Sequence, residues 1–299
     1  MTRLLRKVLW AGWQPLAHFA GRRYSAGATV ADAVETSRQL AGQNFASTVC
    51  YWNGEQDAPE LVARHYLDIL DELAEAKLDS YLSIKATALH YSREWLNEIA
   101  ARATAANVRL HFDAMWPDSA EPTFALLDEL RARQTALSCT LPGRWQRSLT
   151  DAERVNDWQM PVRVVKGQWA DPAHPGIDLR AGFLAVIERL AGRAAHVAVA
   201  THDHELAATA LERLTKASTS CELELLFGLP TRAVLRVARS AGVPVRMYVP
   251  YGAAWAPYCL SQARRNPRIL WWVLRDATLG RTATMLETAY AALTARKHA

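Results

Sequence analysis

Charged and polar side chains stand at the ends of several β-rich segments of this sequence, and these are the residues best suited to chemistry. Four of them each end such a segment: Lys85, Asp113, Lys166 and His202. A lysine shielded from water can form a Schiff base with a carbonyl compound, and histidines beside aspartates can bind a metal ion. Gly167 would let backbone N–H groups approach an anion or a ring closely. Each pattern alone is weak evidence, and the sequence predicts no metal site.

Eight short β-rich segments recur along the 299 residues, with helical patterns between them. Consecutive segments begin about 23 to 35 residues apart, which suits one strand–helix unit each. No GxGxxG motif follows any segment, which disfavours the alternative of a doubly wound open sheet. We therefore predict an α/β protein with a (β/α)₈ TIM-type barrel over 41–280, an N-terminal basic and helical arm over 1–40, and a C-terminal helical tail over 281–299. The predicted strands are 45–52, 80–85, 107–113, 135–141, 161–167, 195–202, 221–226 and 244–249, and the predicted helices include 92–106, 121–133, 150–158, 178–192, 204–217, 230–241 and 257–264.

The predicted strands alternate between an apolar face and a polar face. Helices cover the outside of a barrel, so the apolar face must be the outer one and the polar side chains must point inward. Buried charges must pair with one another or bind something. We favour charges that bind an anion or a cofactor, and a purely structural network of salt bridges is the alternative. The polar inward set comprises Ser83, Lys85, Arg109, His111, Asp113, Arg163, His202, Glu222, Glu224, Arg246 and Tyr248.

Composition and charge exclude several classes of protein. Hydrophobic residues make up 50% of the chain and charged residues 22%, which is a globular balance and excludes disorder. The net charge of +5 is mostly interleaved with acidic residues, so we expect no nucleic-acid partner, and no apolar run reaches the roughly 18 residues of a membrane span. We predict a cytoplasmic protein whose basic arm either packs on the barrel or contacts the inner membrane face. The cysteines form no CxxC pair and are predicted to be buried thiols in apolar surroundings: Cys50, Cys139, Cys221 and Cys259.

Six segments, in this order along the chain, resemble sequence motifs of the proline dehydrogenase family. They read LSIKATAL, LHFDAM, VRVVKGQW, ATHD, CELELLFGLP and VRMYVPYGAAWAPY. No single segment is specific, but their shared order from about residue 24 to residue 267 is a strong signal. The resemblance implies a (β/α)₈ barrel enzyme with FAD as its cofactor. The implied reaction takes hydride from the C–H next to the nitrogen of a secondary amine, leaves an imine, and passes the electrons to a quinone or another acceptor.

The resemblance also implies roles for individual residues. Asp113, Arg163 and Lys85 would be catalytic, with Arg163 near the flavin N5 and Lys85 either paired with Asp113 or in contact with the substrate. Replacing Arg163 by alanine is then expected to weaken flavin reduction more than folding. The residues implied to bind FAD are Ala114, Lys166, Gly167, Gln168, Thr201, His202 and Glu224. Those implied to contact the small-molecule amine or imino acid are Lys85, Trp169, Tyr248, Tyr258, Ser261 and Gln262.

The chain departs from the family pattern at positions that contact the substrate. The family has an arginine pair that clamps the carboxylate of proline, whereas this chain has Ser261 and Gln262. Neutral side chains do not supply the charge-assisted hydrogen bonds that suit a carboxylate. Trp169 stands in place of a tyrosine, and Glu224 in place of a glutamine. We therefore expect a substrate other than L-proline; L-proline itself, a barrel that binds or regulates without redox activity, and a Schiff-base lyase are the alternatives.

Overall fold

Eight parallel strands form a closed barrel in this protein. The computed structural model describes residues 25–54, 56–133 and 136–252. Each strand pairs with the next along the chain, and the last strand pairs back with the first. The predicted (β/α)₈ barrel is confirmed, and every predicted strand overlaps an observed one. The strands are β1 (Ala46–Tyr51), β2 (Ser80–Ile84), β3 (Arg109–Phe112), β4 (Leu137–Pro142), β5 (Val162–Val165), β6 (Val197–Ala200), β7 (Cys221–Leu226) and β8 (Val245–Tyr251).

Eight α-helices lie in the described part of the chain, one before β1 and one after each of β1 to β7. Short polar side chains cap several of them; the Asp203 carboxylate, for example, accepts a hydrogen bond from the Leu206 N–H at the start of the helix His204–Lys216. The predicted helix 257–264 lies outside the described residues. None of the helices described is both long and apolar enough to cross a membrane. The helices are α1 (Val30–Ala41), α2 (Pro59–Ala76), α3 (Arg93–Ala106), α4 (Ala120–Arg131), α5 (Ser148–Asp157), α6 (Leu179–Leu190), α7 (His204–Lys216) and α8 (Arg232–Ala241).

Helix α1 belongs to the predicted arm, and it packs on the barrel wall. It contacts β1, β8 and α2. The segment before it is tied to the end of β8, since the Ala26 N–H donates to the Pro250 carbonyl and the Gly252 N–H to the Gly27 carbonyl. Residues 25–41 are therefore part of the barrel, whereas the basic residues 1–24 lie outside the described residues.

The two faces of each strand differ as the alternation of the sequence predicts. Outward side chains such as Leu82, Val164 and Leu223 are fully buried beneath the helices. Inward side chains are polar and are also buried, at 2–4% exposure for His111, Arg163, Glu222, Glu224 and Arg246. The barrel interior is therefore filled with paired charges and hydroxyl groups rather than with the branched apolar side chains that usually occupy it.

A salt-bridge network fills the amino-terminal end of the barrel. Arg246 Nε donates to Glu222 Oε1 at 2.8 Å, and Arg246 Nη2 donates to Asp79 Oδ1 at 3.0 Å. The guanidinium carbon of Arg246 lies 3.7 Å from the ring centroid of Tyr81. This end of the barrel fits the structural alternative, because every charge in the network has a partner within the chain.

Glu222 makes the stability of the barrel depend on pH. Burial by itself raises the pKa of the Glu222 carboxyl, but His196 and Arg246 outweigh burial and lower that pKa to about 2 from its usual 4.5. Because the folded-state pKa is the lower one, the stabilisation is present above pH 4.5 and is lost as the pH falls towards 2. A shift of this size corresponds to about 3 kcal/mol.

We therefore expect Glu222→Gln to be less stable than the wild type by about 3 kcal/mol at pH 7 and by less than about half of that at pH 3. Urea unfolding followed by circular dichroism at both pH values measures the difference. Equal differences at the two pH values would contradict the assignment.

Candidate functional site

Four side chains from four strands form one cluster near the carboxyl-terminal end of the barrel. Arg163 on β5 donates from Nε and Nη2 to the two carboxylate oxygens of Glu224 on β7, at 2.7 and 2.6 Å. Its Nη1 donates to Asp113 Oδ1, just after β3, at 2.8 Å. The Tyr248 hydroxyl on β8 donates to the other Asp113 oxygen at 2.8 Å, and the Tyr248 ring lies 4.9 Å from the guanidinium carbon. We name Asp113, Arg163, Glu224 and Tyr248 the Arg163 cluster.

Small residues on the intervening strand let this cluster form. Between β5 and β7, the inward positions of β6 are Ala198, beside Arg163, and Ala200, beside Glu224. Two methyl groups leave room for the Arg163 side chain to cross in front of β6 and reach Glu224. Larger side chains at these two positions would separate Arg163 from Glu224. The cluster therefore depends on the two alanines.

The Arg163 cluster carries more negative than positive charge. Two carboxylates face one guanidinium, and their side chains are only 14% exposed for Asp113 and 3% for Glu224. Burial alone lowers the pKa of the Arg163 guanidinium, but the charges of Glu224 and Asp113 raise it above its usual value. Burial, and then the charge of Asp113, raise the pKa of the Tyr248 hydroxyl well above 10. Arg163 therefore stays charged, and Tyr248 stays a neutral hydrogen-bond donor.

Lys85 lies beside the Arg163 cluster but is not paired with it. Its Nζ donates to the Tyr51 carbonyl at 2.8 Å and lies 3.5 Å from Asn53 Oδ1. The Cys50 sulfur stands between the lysine and the cluster, 3.7 Å from Lys85 Nζ and 3.8 Å from Asp113 Oδ2. The structure thus does not show the expected pair of Lys85 with Asp113, and the ammonium has no carboxylate partner among the described residues.

Cys50 is a residue of this site that the sequence analysis missed. Its thiol is buried, and burial above all raises its pKa, so it stays protonated. It was expected in apolar surroundings, but Lys85 and Asp113 are its neighbours. The alternation of β1 could have predicted that Cys50 points inward. Thr48 and Cys50 share a face of β1, and Cys50 pairs in register with the inward Ser83. Cys139 and Cys221 are buried free thiols as predicted, and Cys259 lies outside the described residues.

Two of the residues expected to bind a cofactor, Lys166 and His202, have side chains that form hydrogen bonds with other residues of the chain. The Lys166 ammonium donates to Asp203 Oδ2 at 3.0 Å, and Arg180 binds the same oxygen. His202 receives a hydrogen bond from the Leu226 N–H at Nε2, and its Nδ1 lies 3.1 Å from the Pro230 carbonyl. Burial lowers the pKa of His202, so the ring is neutral and fixes the loop after β7.

The other expected cofactor residues line the same rim. Thr201 is buried, and its hydroxyl accepts a hydrogen bond from the Asp203 N–H, while Ala114 is half-buried directly after Asp113. Gly167 has a φ of +95°, and a Cβ there would lie 2.9 Å from Arg144 Cγ, so this position favours glycine. Gln168 is exposed.

The loop after β5 is held by the loop after β4, which the sequence analysis did not include in the site. Arg144 Nη1 donates to the Gln168 carbonyl at 3.1 Å, and Trp145 Nε1 donates to the Trp169 carbonyl at 2.9 Å. Trp169 itself is half-buried. The remaining residues expected to contact the substrate, Tyr258, Ser261 and Gln262, lie outside the described residues.

The side chains at the mouth of the barrel suit a flavin ring. Three half-buried inward residues are apolar and lie on consecutive strands, namely Val165, Ala200 and Leu226. Tyr248 on β8 lies beside Leu226 in register, and Lys85 and Asp113 directly follow β2 and β3. An isoalloxazine ring has one apolar edge and one edge rich in hydrogen-bonding atoms. These apolar and polar side chains therefore fit such a ring. Within the described residues, no group of three metal-binding side chains comes together.

Proline dehydrogenases are among the proteins to which this chain is similar. Proline dehydrogenase 1 of Bacillus subtilis strain 168 is 27% identical over 273 residues, covering 85% of this chain and 89% of that protein. Proline dehydrogenase 2 of the same strain is 20% identical, and it covers 86% and 92%. The proline dehydrogenase of Deinococcus radiodurans is 22% identical and covers 94% of each chain. No protein-family model matches the chain.

Solved structures of proline utilization A share the fold. The protein from Corynebacterium freiburgense superposes with a TM-score of 0.70 at 16% identity, over 89% of this chain and 33% of that one. The protein from Bdellovibrio bacteriovorus, inactivated by N-propargylglycine, gives 0.69 at 14% identity, over 80% and 31%. This chain thus spans about a third of their length. The curated relatives confirm the resemblance to proline dehydrogenases, and the solved structures confirm the fold.

Proposed function

We propose that this chain, similar to proline dehydrogenases over most of its length, is an FAD-dependent oxidoreductase that oxidises the C–N bond of a proline-like amine or imino acid to an imine. The observation that carries the proposal is the Arg163 cluster beside Lys85, at the carboxyl-terminal end of the strands where active sites of such barrels lie. Bound FAD would supply the acceptor for the hydride that leaves the carbon next to nitrogen.

The Arg163 cluster would hold the polar edge of the flavin. Three of the five N–H donors of Arg163 bind Asp113 and Glu224, which fixes the guanidinium plane and leaves two donors for a ligand. The rim residues Gly167, Gln168 and Thr201 would contact the rest of the cofactor. A preorganised guanidinium needs no rearrangement when negative charge develops near it during the reaction.

Lys85 would bind the substrate. Its ammonium has only neutral partners among the described residues, so a carboxylate or another anionic group of the substrate can pair with it. Asp113 lies on the other side of Cys50 and would attract the amine nitrogen of the same molecule. An amino or imino acid, which carries both groups on one carbon, satisfies both side chains.

The electrons would leave to a quinone or a similar acceptor. Residues 1–31 contain five basic residues and no acidic residue. Such a segment would attract an anionic membrane surface, where quinones are dissolved. Sedimentation with vesicles that contain an anionic lipid tests this part, since deletion of residues 1–24 should release the protein from the vesicles.

The visible absorption spectrum of the purified protein, incubated with FAD and then mixed anaerobically with a panel of cyclic and secondary amines, tests the proposal. We expect flavin absorbance from the protein and bleaching by at least one amine. Bleaching by L-proline would identify the substrate as proline. Flavin that no amine bleaches would favour a barrel that binds or regulates without redox activity, and failure to take up FAD would overturn the proposal.

The positions that replace the family's arginine pair yield a further prediction. If Ser261 and Gln262 alone exclude L-proline, the double variant Ser261→Arg, Gln262→Arg should bind L-proline more tightly, by about tenfold or more, because charge-assisted hydrogen bonds contribute about 1.5–3 kcal/mol each. Titration of flavin bleaching with L-proline measures the change. Ser261→Ala, Gln262→Ala is the matched control, and an equal gain in both variants would contradict a charge-based explanation.

A further inference from the structure

We propose that the Glu224 carboxylate lowers the reduction potential of the flavin by neutralising Arg163, and so sets how strongly the site withdraws electrons from its donor. The inference rests on the proposed function, because it requires a flavin at the mouth of the barrel. Glu224 lies beneath Arg163 and acts through it, so it is a positioning residue rather than a catalytic one.

The contacts of Arg163 show that its positive charge is shared by two carboxylates. Asp113 alone would balance the guanidinium, and it binds a single nitrogen of Arg163 at 2.8 Å. Glu224 binds two further nitrogens at 2.7 and 2.6 Å, which makes it the closer and better aligned partner. Tyr248 adds no charge, since its hydroxyl donates to Asp113. Within the cluster the two carboxylates thus exceed the guanidinium by one negative charge, and the nearby Lys85 ammonium lies on the far side of the Cys50 sulfur.

Burial makes this surplus charge effective at the cofactor. The side chains of Arg163 and Glu224 are 5% and 3% exposed, so little water screens them. Charges interact several times more strongly in such surroundings than in bulk water. Transfer of a hydride brings two electrons and one proton to the flavin, which therefore becomes more negative by one charge. The negative charge of Glu224 would oppose that change and so would lower the reduction potential.

Glu222 shows that charge pairing alone does not explain the position of Glu224. Glu222 lies two residues earlier on β7, is equally buried, and accepts a single hydrogen bond from Arg246, at Oε1. Its network closes the amino-terminal end of the barrel, about 7 Å farther from the mouth at the usual rise of a strand. Both glutamates are thus buried and paired with an arginine, but Glu222 pairs at the amino-terminal end, whereas the arginine of Glu224 belongs to the Arg163 cluster.

A lower potential has a direct consequence for the reaction cycle. With the Glu224 charge in place, hydride transfer from the donor would have less driving force, and electron transfer to the acceptor would have more. The chain would favour donors that are readily oxidised, or acceptors of low potential. In a relative with an uncharged residue at this position, the guanidinium charge would be balanced by the aspartate alone.

Equilibration of the FAD-loaded proteins with reference dyes measures the midpoint potential. The set consists of the wild type, Glu224→Gln, Glu224→Asp and the matched control Glu222→Gln. We expect Glu224→Gln to raise the ratio of reduced to oxidised flavin at a fixed solution potential by at least tenfold, which is about 30 mV for a two-electron couple. Glu224→Asp keeps the charge and should stay near the wild type, as should Glu222→Gln.

Three results would overturn the inference. They are an unchanged potential in Glu224→Gln, an equal shift in Glu224→Asp, and an equal shift in Glu222→Gln. If Glu224→Gln does not fold, Asp113→Asn removes the same charge while leaving the pair of Arg163 and Glu224 intact, and its potential must rise instead. A protein that binds no FAD would overturn the proposed function as well, whereas an FAD-loaded Glu224→Gln with an unchanged potential would overturn this inference alone.

Discussion

Arg163→Ala is expected to destabilise the barrel by about 3–5 kcal/mol and to abolish amine oxidation. The substitution removes the cation that pairs with Glu224, and it leaves Asp113 with neutral partners, the Tyr248 hydroxyl and the Cys50 thiol. Removing one partner of a buried ion pair costs this much because the remaining charge is neither solvated nor paired. The sequence alone predicted a larger effect on flavin reduction than on folding, but the two carboxylates bound to Arg163 show that folding also depends strongly on this residue.

Two measurements separate these effects. Urea unfolding gives the loss of stability in Arg163→Ala, and flavin bleaching by the amine substrate gives the loss of reaction. The double variant Arg163→Met, Glu224→Gln removes both charges together and should recover most of the stability, since buried pairs are often replaced by neutral side chains without loss. It should remain inactive. A single variant as stable as the wild type would show that the buried pair contributes little to folding.

Lys85→Met should reduce kcat/KM for an amino or imino acid by about a hundredfold, while it changes stability by less than about 1 kcal/mol. Loss of a charged hydrogen bond to the substrate costs about 1.5–3 kcal/mol, and each 1.4 kcal/mol is a factor of ten. The described structure pairs no carboxylate with Lys85, so the substitution leaves no unpaired buried charge behind. Steady-state kinetics with an artificial electron acceptor, alongside urea unfolding, measure both quantities.

Lys166→Met is the matched control for Lys85→Met, because it removes a lysine that is not expected to bind the substrate. The Lys166 ammonium is bound by Asp203 and is 34% exposed, so its substitution should change kcat/KM for the substrate much less. The predicted contact of Lys166 with FAD would appear instead as weaker flavin binding. Equal losses of kcat/KM in the two variants would contradict the assignment of Lys85 to the substrate.

The barrel and its polar lumen could be predicted from the sequence, because both depend on local patterns. A period of two in segments such as NVRLHFD and CELELL already separates the outer face from the inner one. Regular spacing of eight such segments then favours a closed barrel of strand–helix units over an open sheet. The same alternation identified Asp113, Arg163 and Glu224 as inward residues, and the structure brings all three together.

Which inward residues become partners was decided only by the tertiary structure. Arg163 reaches Glu224 across β6 because Ala198 and Ala200 leave the space, and Lys85 is kept from Asp113 by the Cys50 thiol. Lys166 binds Asp203, although in the sequence it stands with the other charges at the strand ends. Alternation is a property of one strand, whereas pairing depends on the register between strands and on the size of the side chain between two charges. The sequence by itself therefore determined which charges enter the barrel, and the closed packing determined which of them neutralise each other and which are left for a ligand.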